Sequence, residues 1–129
     1  MSPFLPLGVD ILEWKKAAAF YDRHGDRLRA LLHSDELAFV RASAKPFEAF
    51  ALIFSAKEAV FKALGAPFLG IGAFRDIRFF PEKNFSFRLR GVFQKNRFLP
   101  SSLRVSFQKS RQYIIAICHP DSVRPCAGT

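Results

Sequence analysis

The residues of this chain best suited to chemistry are Glu58 and Lys62, four positions apart in a stretch that predicts a helix from Pro46 to Leu64. The helical line through Glu58 is otherwise apolar, and its other members are Phe47, Ala51, Phe54 and Phe61. A Glu–Lys pair at this spacing is often only a solvated contact. A carboxylate on an apolar face, however, costs several kcal/mol unless a cation or a hydrogen-bond donor meets it. The sequence therefore favours a polar site at the end of this helix.

A second isolated carboxylate, Asp10, is a candidate to complete that site. It lies near the end of a strand predicted from Phe4 to Leu12. An Asp in this position is often only a strand-end cap. The histidines have no catalytic spacing and are predicted at the surface or at helix ends; they are His24, His33 and His119.

The hydrophobic pattern that predicts the elements around these acids is helical in the first half of the chain and alternating in the second. A helix predicted from Glu13 to Leu32 breaks near Gly25, and Ser34 is predicted to cap a short second helix. Lys45-Pro46 opens the long central helix and Gly65 closes it. Four strands are predicted next, at residues 74–80, 85–89, 103–107 and 113–118. The prediction is an α+β fold, with an N-terminal strand, three helices including the long central one, and then an antiparallel sheet.

Length and composition predict one domain. Half of the 129 residues are hydrophobic and 16 are Phe, so the chain can build a substantial core. We expect residues 1–119 to form the domain and residues 120–129 to be a flexible tail. No run approaches the roughly 18 apolar residues of a membrane span, and no signal peptide is recognisable, so a cytoplasmic protein is expected. Cys118 and Cys126 are expected to be reduced thiols that hold no zinc.

The formal net charge of +9 indicates an anionic partner. Nucleic acid, a phosphate-rich cofactor and an acidic protein would all satisfy this charge. The basic residues are scattered along the chain and form no single stripe, which weakens the nucleic-acid interpretation. We therefore expect neither nucleic acid nor a membrane as the partner.

Short motifs surround both acids and continue towards the C-terminus. They are Gly8-Val9-Asp10-Ile11, Ala56-Lys57-Glu58-Ala59, Lys62-Ala63-Leu64-Gly65, Phe74-Arg75-Asp76-Ile77, and Val105-Ser106 with Tyr113. From about residue 7 to residue 117 the chain thereby resembles the 4′-phosphopantetheinyl transferases, specifically the small holo-acyl-carrier-protein synthase type. The resemblance implies one 4′-phosphopantetheinyl transferase fold per chain.

The resemblance implies transfer of 4′-phosphopantetheine from coenzyme A to a serine of apo acyl carrier protein, with release of adenosine 3′,5′-bisphosphate. Attack on the β-phosphate gathers negative charge, which a divalent cation and a positive side chain would stabilise. Asp10 and Glu58 would be the Mg²⁺ ligands and, with Lys62, the catalytic residues. Lys62 would meet the phosphates as a point charge or help to remove the hydroxyl proton. The expected coenzyme A contacts are Lys62, Gly65, Gly70, Ser106 and Lys109.

The resemblance also implies an acidic acyl carrier protein as partner and a homotrimer with active sites between subunits. The candidate carrier contacts are Lys15, Lys16, Arg23 and Arg27. Exposed phenylalanines on strands would be buried in the trimer interface, with Phe79, Phe87 and Phe93 as the candidates. The sequence leaves open whether the carrier serves fatty acid biosynthesis or another pathway.

Three positions depart from the pattern of that family. Gln108 and Lys109 stand where many relatives have Ser-His, and Ile53 stands where they usually have Arg. These departures leave two alternatives open. One is a non-catalytic paralogue that binds coenzyme A or the carrier without transfer, and the other is a small basic RNA-binding domain.

Overall fold

A computed structural model describes residues 7–65, 72–91 and 102–121. The elements in chain order are β1 (Gly8–Glu13), α1 (Trp14–Arg23), a 3-10 segment (Gly25–Ala30), α2 (Ser34–Ala42), α3 (Pro46–Leu64), α4 (Gly72–Arg75), β2 (Ile77–Phe80), a 3-10 turn (Pro81–Lys83), β3 (Ser86–Leu89), β4 (Leu103–Lys109) and β5 (Tyr113–Pro120). The predicted α+β class is confirmed. Residues 4–6 of the predicted first strand and residues 122–129 of the predicted tail lie outside the described residues.

The long helix α3 begins and ends where the sequence predicts. Pro46 occupies its first turn, where the missing backbone N–H costs nothing. Gly65 follows its last residue with φ of 62°, a left-handed conformation that glycine adopts without strain. The amide of Gly65 donates to the carbonyl of Lys62 at 3.1 Å and closes the last turn.

The strands form two antiparallel sheets within the described ranges, whereas the sequence predicts one. The larger sheet has the order β1-β5-β4, so the N-terminal strand pairs with the C-terminal one, and Asp10 lies opposite Ala116. The smaller sheet is the hairpin of β2 and β3, in which Ile77 lies opposite Leu89. The N-terminal strand thus becomes part of the larger sheet.

Gly8 brings β1 into direct contact with α3. A Cβ atom built at this position would overlap the carbonyl oxygen of Ala59 and the backbone nitrogen of Ala63. Because both obstacles are backbone atoms of a helix, they cannot move aside as a flexible side chain can. Because Gly8 has no side chain, β1 can lie close to α3. This also brings Asp10, two residues later, close to that helix.

The strand predicted at residues 74–80 is only half formed, which corrects the sequence prediction. Its first residues belong to the short helix α4, and the strand begins at Ile77. The centre of the Phe74 ring lies 5.9 Å from the centre of the Phe54 ring and 5.8 Å from that of the Phe61 ring, and both of these residues are on α3. The apolar side chain that looked like part of an alternating strand is buried against a helix instead.

Three further predictions are corrected by the burial and capping of side chains. The cap of α2 is His33 and not Ser34, because the His33 Nδ1 atom accepts from the Asp35 amide at 3.3 Å. Phe79 and Phe87 are 1 % and 4 % exposed within the single chain, so they belong to its core and not to an interface. Phe93, the third candidate, lies outside the described residues.

In the described part of the chain, every helix is too short or too polar to cross a membrane.

Candidate active site

The structure brings Asp10 and Lys62 together, although 52 positions separate them in the sequence. The Lys62 ammonium lies 3.3 Å from Asp10 Oδ1 and donates a second hydrogen bond to the carbonyl of Val9 at 3.1 Å. Asp10 comes from the edge strand β1, and Lys62 comes from the last turn of α3. The close packing at Gly8 is what places the two elements within reach of each other.

Asp10 is a partly buried carboxylate in an environment that opposes its charge. Burial raises the pKa of Asp10 above its ordinary value, while the hydrogen bond and charge of Lys62 lower it. The Ser55 hydroxyl acts in the same direction as Lys62. The Ser55 oxygen is nevertheless fully buried and lacks a hydrogen bond of standard geometry within the described residues. One lysine and one serine therefore offset the effect of burial on Asp10 only in part.

Glu58 lies close enough to Asp10 for the two negative charges to interact. Burial raises the pKa of Glu58, the charge of Asp10 raises it further, and Lys62 lowers it. The apolar helical line through Glu58 suggests that this side chain is fully buried. In the structure it is only half-buried. Two carboxylates that repel each other, with a single lysine acting on both, form a site that favours a further cation.

The pair of carboxylates fits a magnesium ion better than a metal held by protein alone. Across the described ranges, no cluster of three or more His, Cys, Asp or Glu side chains is placed to hold a metal. Mg²⁺ is commonly held by one or two carboxylates, with water and substrate phosphates as the other ligands. Asp10 and Glu58 would supply those two, and the Ser55 hydroxyl lies near Asp10.

Only some of the predicted coenzyme A contacts lie near Asp10 and Glu58. Lys62 contacts Asp10 and Gly65 follows the exposed end of α3, whereas Gly70 lies outside the described residues. Ser106 lies opposite Ile117, which lies opposite Val9, and therefore occupies the sheet face opposite to that of Asp10. Lys109 is exposed at the end of β4. Within one chain, Ser106 and Asp10 are on different sides of the larger sheet.

Ser106 is paired with a histidine that the sequence analysis places wrongly at the surface. His119 is 2 % exposed, and its Nε2 atom lies 2.9 Å from the Ser106 oxygen. The other ring nitrogen, Nδ1, lies 2.8 Å from the carbonyl oxygen of Pro120, which can only accept. Nδ1 therefore carries a proton, and Nε2 is the ring nitrogen that is hydrogen-bonded to the serine hydroxyl. His119 is buried because β5 runs two residues further than predicted.

The candidate carrier contacts form an exposed basic surface. Lys15, Lys16 and Arg23 lie on α1, and Arg27 lies in the 3-10 segment that follows. Arg27 also borders a cavity of about 570 Å³ whose apolar wall includes the side chains of Phe20, Phe54 and Phe74. Cationic and apolar surfaces thus adjoin each other beside α3.

A buried ion pair next to Glu58 was not predicted from the sequence. Lys57 and Glu36 are both fully buried, and Lys57 Nζ lies 2.7 Å from Glu36 Oε1. Burial lowers the pKa of Lys57 to about 8, against the raising effect of the Glu36 charge. A signal for this burial exists in the sequence, because Lys57 lies on one helical line with Phe50, Ile53 and Val60.

One departure from the family pattern also has a structural account. Ile53 is fully buried in the apolar cluster that joins α3 to α2 and the 3-10 segment. An isoleucine contributes apolar packing there, whereas an arginine would require a partner for its charge. The departure at Ile53 therefore belongs to the core and leaves Asp10 and Glu58 unaffected.

Comparison with known proteins agrees with the fold and identifies the family. The family model described as the 4′-phosphopantetheinyl transferase superfamily matches residues 6–118. A holo-[acyl-carrier-protein] synthase of Carboxydothermus hydrogenoformans is 33% identical over 119 residues, which are 86% of this chain and 93% of that protein. One from Thermus thermophilus is 41% identical over 54 residues, or 41% of this chain and 43% of that protein.

Solved structures share the same fold at lower sequence identity. The complex of a Chronobacterium ammoniagenes protein with coenzyme A has a TM-score of 0.73 and 21% identity, over 91% of this chain and 96% of that chain. A holo-[acyl-carrier-protein] synthase from Neisseria meningitidis has a TM-score of 0.69 and 20% identity, over 91% and 98%. From the match over residues 6–118, the chain belongs to the 4′-phosphopantetheinyl transferase superfamily.

Proposed function

We propose that this protein is a holo-[acyl-carrier-protein] synthase, which transfers 4′-phosphopantetheine from coenzyme A to a serine of an apo acyl carrier protein. The observation that carries the proposal is the convergence of Asp10, Glu58 and Lys62 from two distant elements. Membership of the superfamily and the named synthases among the relatives support it.

The chemistry assigns a role to each of these side chains. The carrier's serine oxygen forms a bond to the β-phosphorus of coenzyme A, and the bond from that phosphorus to the oxygen bridging towards the α-phosphate breaks. The serine hydroxyl releases its proton to the solvent as the new bond forms. The leaving group is adenosine 3′,5′-bisphosphate, and negative charge accumulates on the phosphate oxygens. Asp10 and Glu58 would hold Mg²⁺, which would neutralise part of that charge when bound. Lys62 is half-exposed and donates two hydrogen bonds, so we assign it the role of a point charge towards the phosphates.

An acidic acyl carrier protein is the partner that the surface fits best. Lys15, Lys16, Arg23 and Arg27 are exposed, and the net charge of +9 would steer an acidic protein towards them. The cavity beside Arg27 would accept an apolar side chain of the same partner. A cytoplasmic role in fatty acid or related lipid biosynthesis follows from that partner.

We also propose a homotrimer, in which the outer face of the larger sheet contacts the neighbouring subunit. Val9, Ile11 and Tyr113 lie on that face and are 48 %, 60 % and 37 % exposed. Ser106 lies on the same face and would therefore reach a site of the neighbouring subunit. This arrangement supports our expectation that Ser106 contacts coenzyme A although it is remote from Asp10 of its own chain.

The test is to incubate the protein with Mg²⁺, coenzyme A and an apo carrier, and to measure the carrier's mass. We expect a gain of one phosphopantetheine group, which disappears in Asp10→Asn and in Glu58→Gln. Magnesium binding without any transfer, with several apo carriers, would favour the non-catalytic paralogue. Full activity in either variant would overturn the assignment of the two ligands.

A further inference from the structure

The buried ammonium of Lys57 joins three other parts of the fold to α3. It donates to Glu36 Oε1 on α2 at 2.7 Å, to the carbonyl of Leu31 at 3.0 Å and to the carbonyl of Phe74 at 2.6 Å. A lysine ammonium has three N–H donors, and all three are used here. The direction of this side chain is therefore defined by three acceptors from three separate segments.

Both carboxylate oxygens of Glu36 also accept hydrogen bonds. Its Oε1 atom also accepts from the backbone amide of His33 at 2.7 Å, and its Oε2 atom accepts from the amide of Phe79 at 2.9 Å. The pair thus ties α3 to the start of α2, the end of the 3-10 segment, α4 and β2. Moving α3 relative to any of these segments would break a hydrogen bond inside the core.

Stability alone does not explain a charged pair at this position. A buried ion pair loses the hydration of both charges, and well-packed apolar residues of similar volume are often as stable or more stable. What a fully hydrogen-bonded pair adds is a defined geometry, because ammonium and carboxylate contacts are directional whereas apolar contacts tolerate sliding. The position of the pair in the sequence shows what that geometry serves.

Lys57 immediately precedes Glu58 on α3, so the two side chains project about 100° apart around the helix axis. A rotation of α3 by about 10° would displace the Glu58 carboxylate, roughly 6 Å from the axis, by about 1 Å. Functional groups generally have to be held within about 0.5 Å of their working positions. The rotational setting of α3 therefore decides whether Glu58 and Asp10 can share one cation.

We infer that Lys57 and Glu36 act as a positioning pair, which fixes the rotation of α3 and thereby holds the Glu58 carboxylate in place relative to Asp10. Neither residue touches the substrate or the cation. This inference rests on the proposed function for its effect on turnover, but its effect on cation binding is independent of transfer.

The experiment replaces the pair by apolar residues, as Lys57→Met with Glu36→Leu, so that no unpaired charge remains buried. Mn²⁺ serves as the cation probe, and its binding is measured by electron paramagnetic resonance without coenzyme A or carrier. We expect the double variant to remain folded by circular dichroism, and its Mn²⁺ affinity to fall roughly 10- to 100-fold, as when outer-shell partners of metal ligands are removed. Turnover with apo carrier should fall at least roughly 10-fold with little change in the KM for the carrier.

The matched control is the solvent-accessible ion pair at the start of α3, between Lys45, which precedes the helix, and Glu48 in its first turn, whose charged atoms are 3.7 Å apart. Lys45→Met with Glu48→Leu should leave Mn²⁺ affinity and turnover unchanged. A second test variant, Glu36→Gln, keeps the shape of the side chain and should lower Mn²⁺ affinity by a smaller factor. It serves as the deciding variant if the apolar pair does not fold.

The outcomes separate the inference from the proposed function. A folded double variant that binds Mn²⁺ as tightly as the unmodified protein would overturn the inference, and so would an unchanged affinity in Glu36→Gln. Absence of transfer by the unmodified protein would overturn the proposed function instead. In that case the Mn²⁺ comparison would still decide whether Lys57 and Glu36 position Glu58.

Discussion

The ammonium of Lys62 lies 3.3 Å from Asp10 Oδ1 and joins the last turn of α3 to the edge strand β1. Both charges come from motifs that were selected from the sequence, and the contact shows that the two motifs meet in the fold. Lys62 is half-exposed and remains accessible to a ligand. A phosphate group that approached this site would meet the lysine beside the two carboxylates.

Replacing Lys62 by Met should impair transfer far more than folding. The charge that stabilises the phosphate oxygens is lost, and we expect turnover to fall about 100-fold or more. The ion pair is partly solvated, so the free energy of unfolding should change by less than about 1 kcal/mol. The carrier mass assay and urea denaturation measure the two effects. Lys45→Met removes an exposed lysine at the opposite end of α3 and should change neither. Unaltered turnover in Lys62→Met would contradict the assigned role.

The raised pKa values of Asp10 and Glu58 predict a specific dependence of stability on pH. A carboxyl whose pKa is raised by folding favours the folded state when protonated, and this contribution is lost as the pH rises through the folded-state pKa. For the metal-free protein, the loss should begin near the ordinary values of 3.8 and 4.5 and continue above them. Added Mg²⁺ should restore stability at neutral pH, because it binds the ionised pair.

The comparison that isolates this effect uses Asp10→Asn with Glu58→Gln, which cannot ionise at either position. The difference in unfolding free energy between the double variant and the unmodified protein should grow in favour of the variant as the pH rises from 4 to 7. Mg²⁺ should stabilise only the unmodified protein. A difference that is constant with pH would show that folding leaves both pKa values at their ordinary positions.

A methyl group at Gly8 should damage both stability and the site. The Cβ of Gly8→Ala would overlap backbone atoms of Ala59 and Ala63, so β1 would have to move away from α3. We expect a loss of about 1–3 kcal/mol in urea denaturation and a marked loss of transfer. Gly25→Ala is the control, because a Cβ at Gly25 has no atom within 4 Å. Equal stability of the two variants would contradict the proposed packing role of Gly8.

The exposed face of the larger sheet should control assembly. Ile11 is 60 % exposed at its centre, and Ile11→Glu would place a charge in the proposed subunit contact. We expect light scattering coupled to size-exclusion chromatography to report a trimer for the unmodified protein and monomers for the variant. Lys16→Glu, on the exposed side of α1, should leave the assembly intact. A monomeric unmodified protein would contradict the trimer at once.

Local patterns in the sequence were sufficient to predict α3 and the charged residues at its end. Pro46 and Gly65 mark the two ends of the helix through backbone chemistry that does not depend on the rest of the fold. Glu58 and Lys62 follow from helical spacing, and the resemblance to the family follows from their motif together with the motifs around Asp10 and Asp76. Most strands were also found, because alternation and turn residues act over a few positions.

Other features depend on which elements meet, and only the tertiary structure decided them. The sequence assigned Phe74 to a strand, whereas aromatic contacts with α3 keep it in a helix. Phe79 and Phe87 are covered within their own chain, which alternation along one strand cannot reveal. Lys57 and Glu36 are 21 positions apart and each resembles an ordinary surface charge until the helices pack. Periodicity shows which side of an element is apolar, but the partner that buries that side is a property of the whole chain.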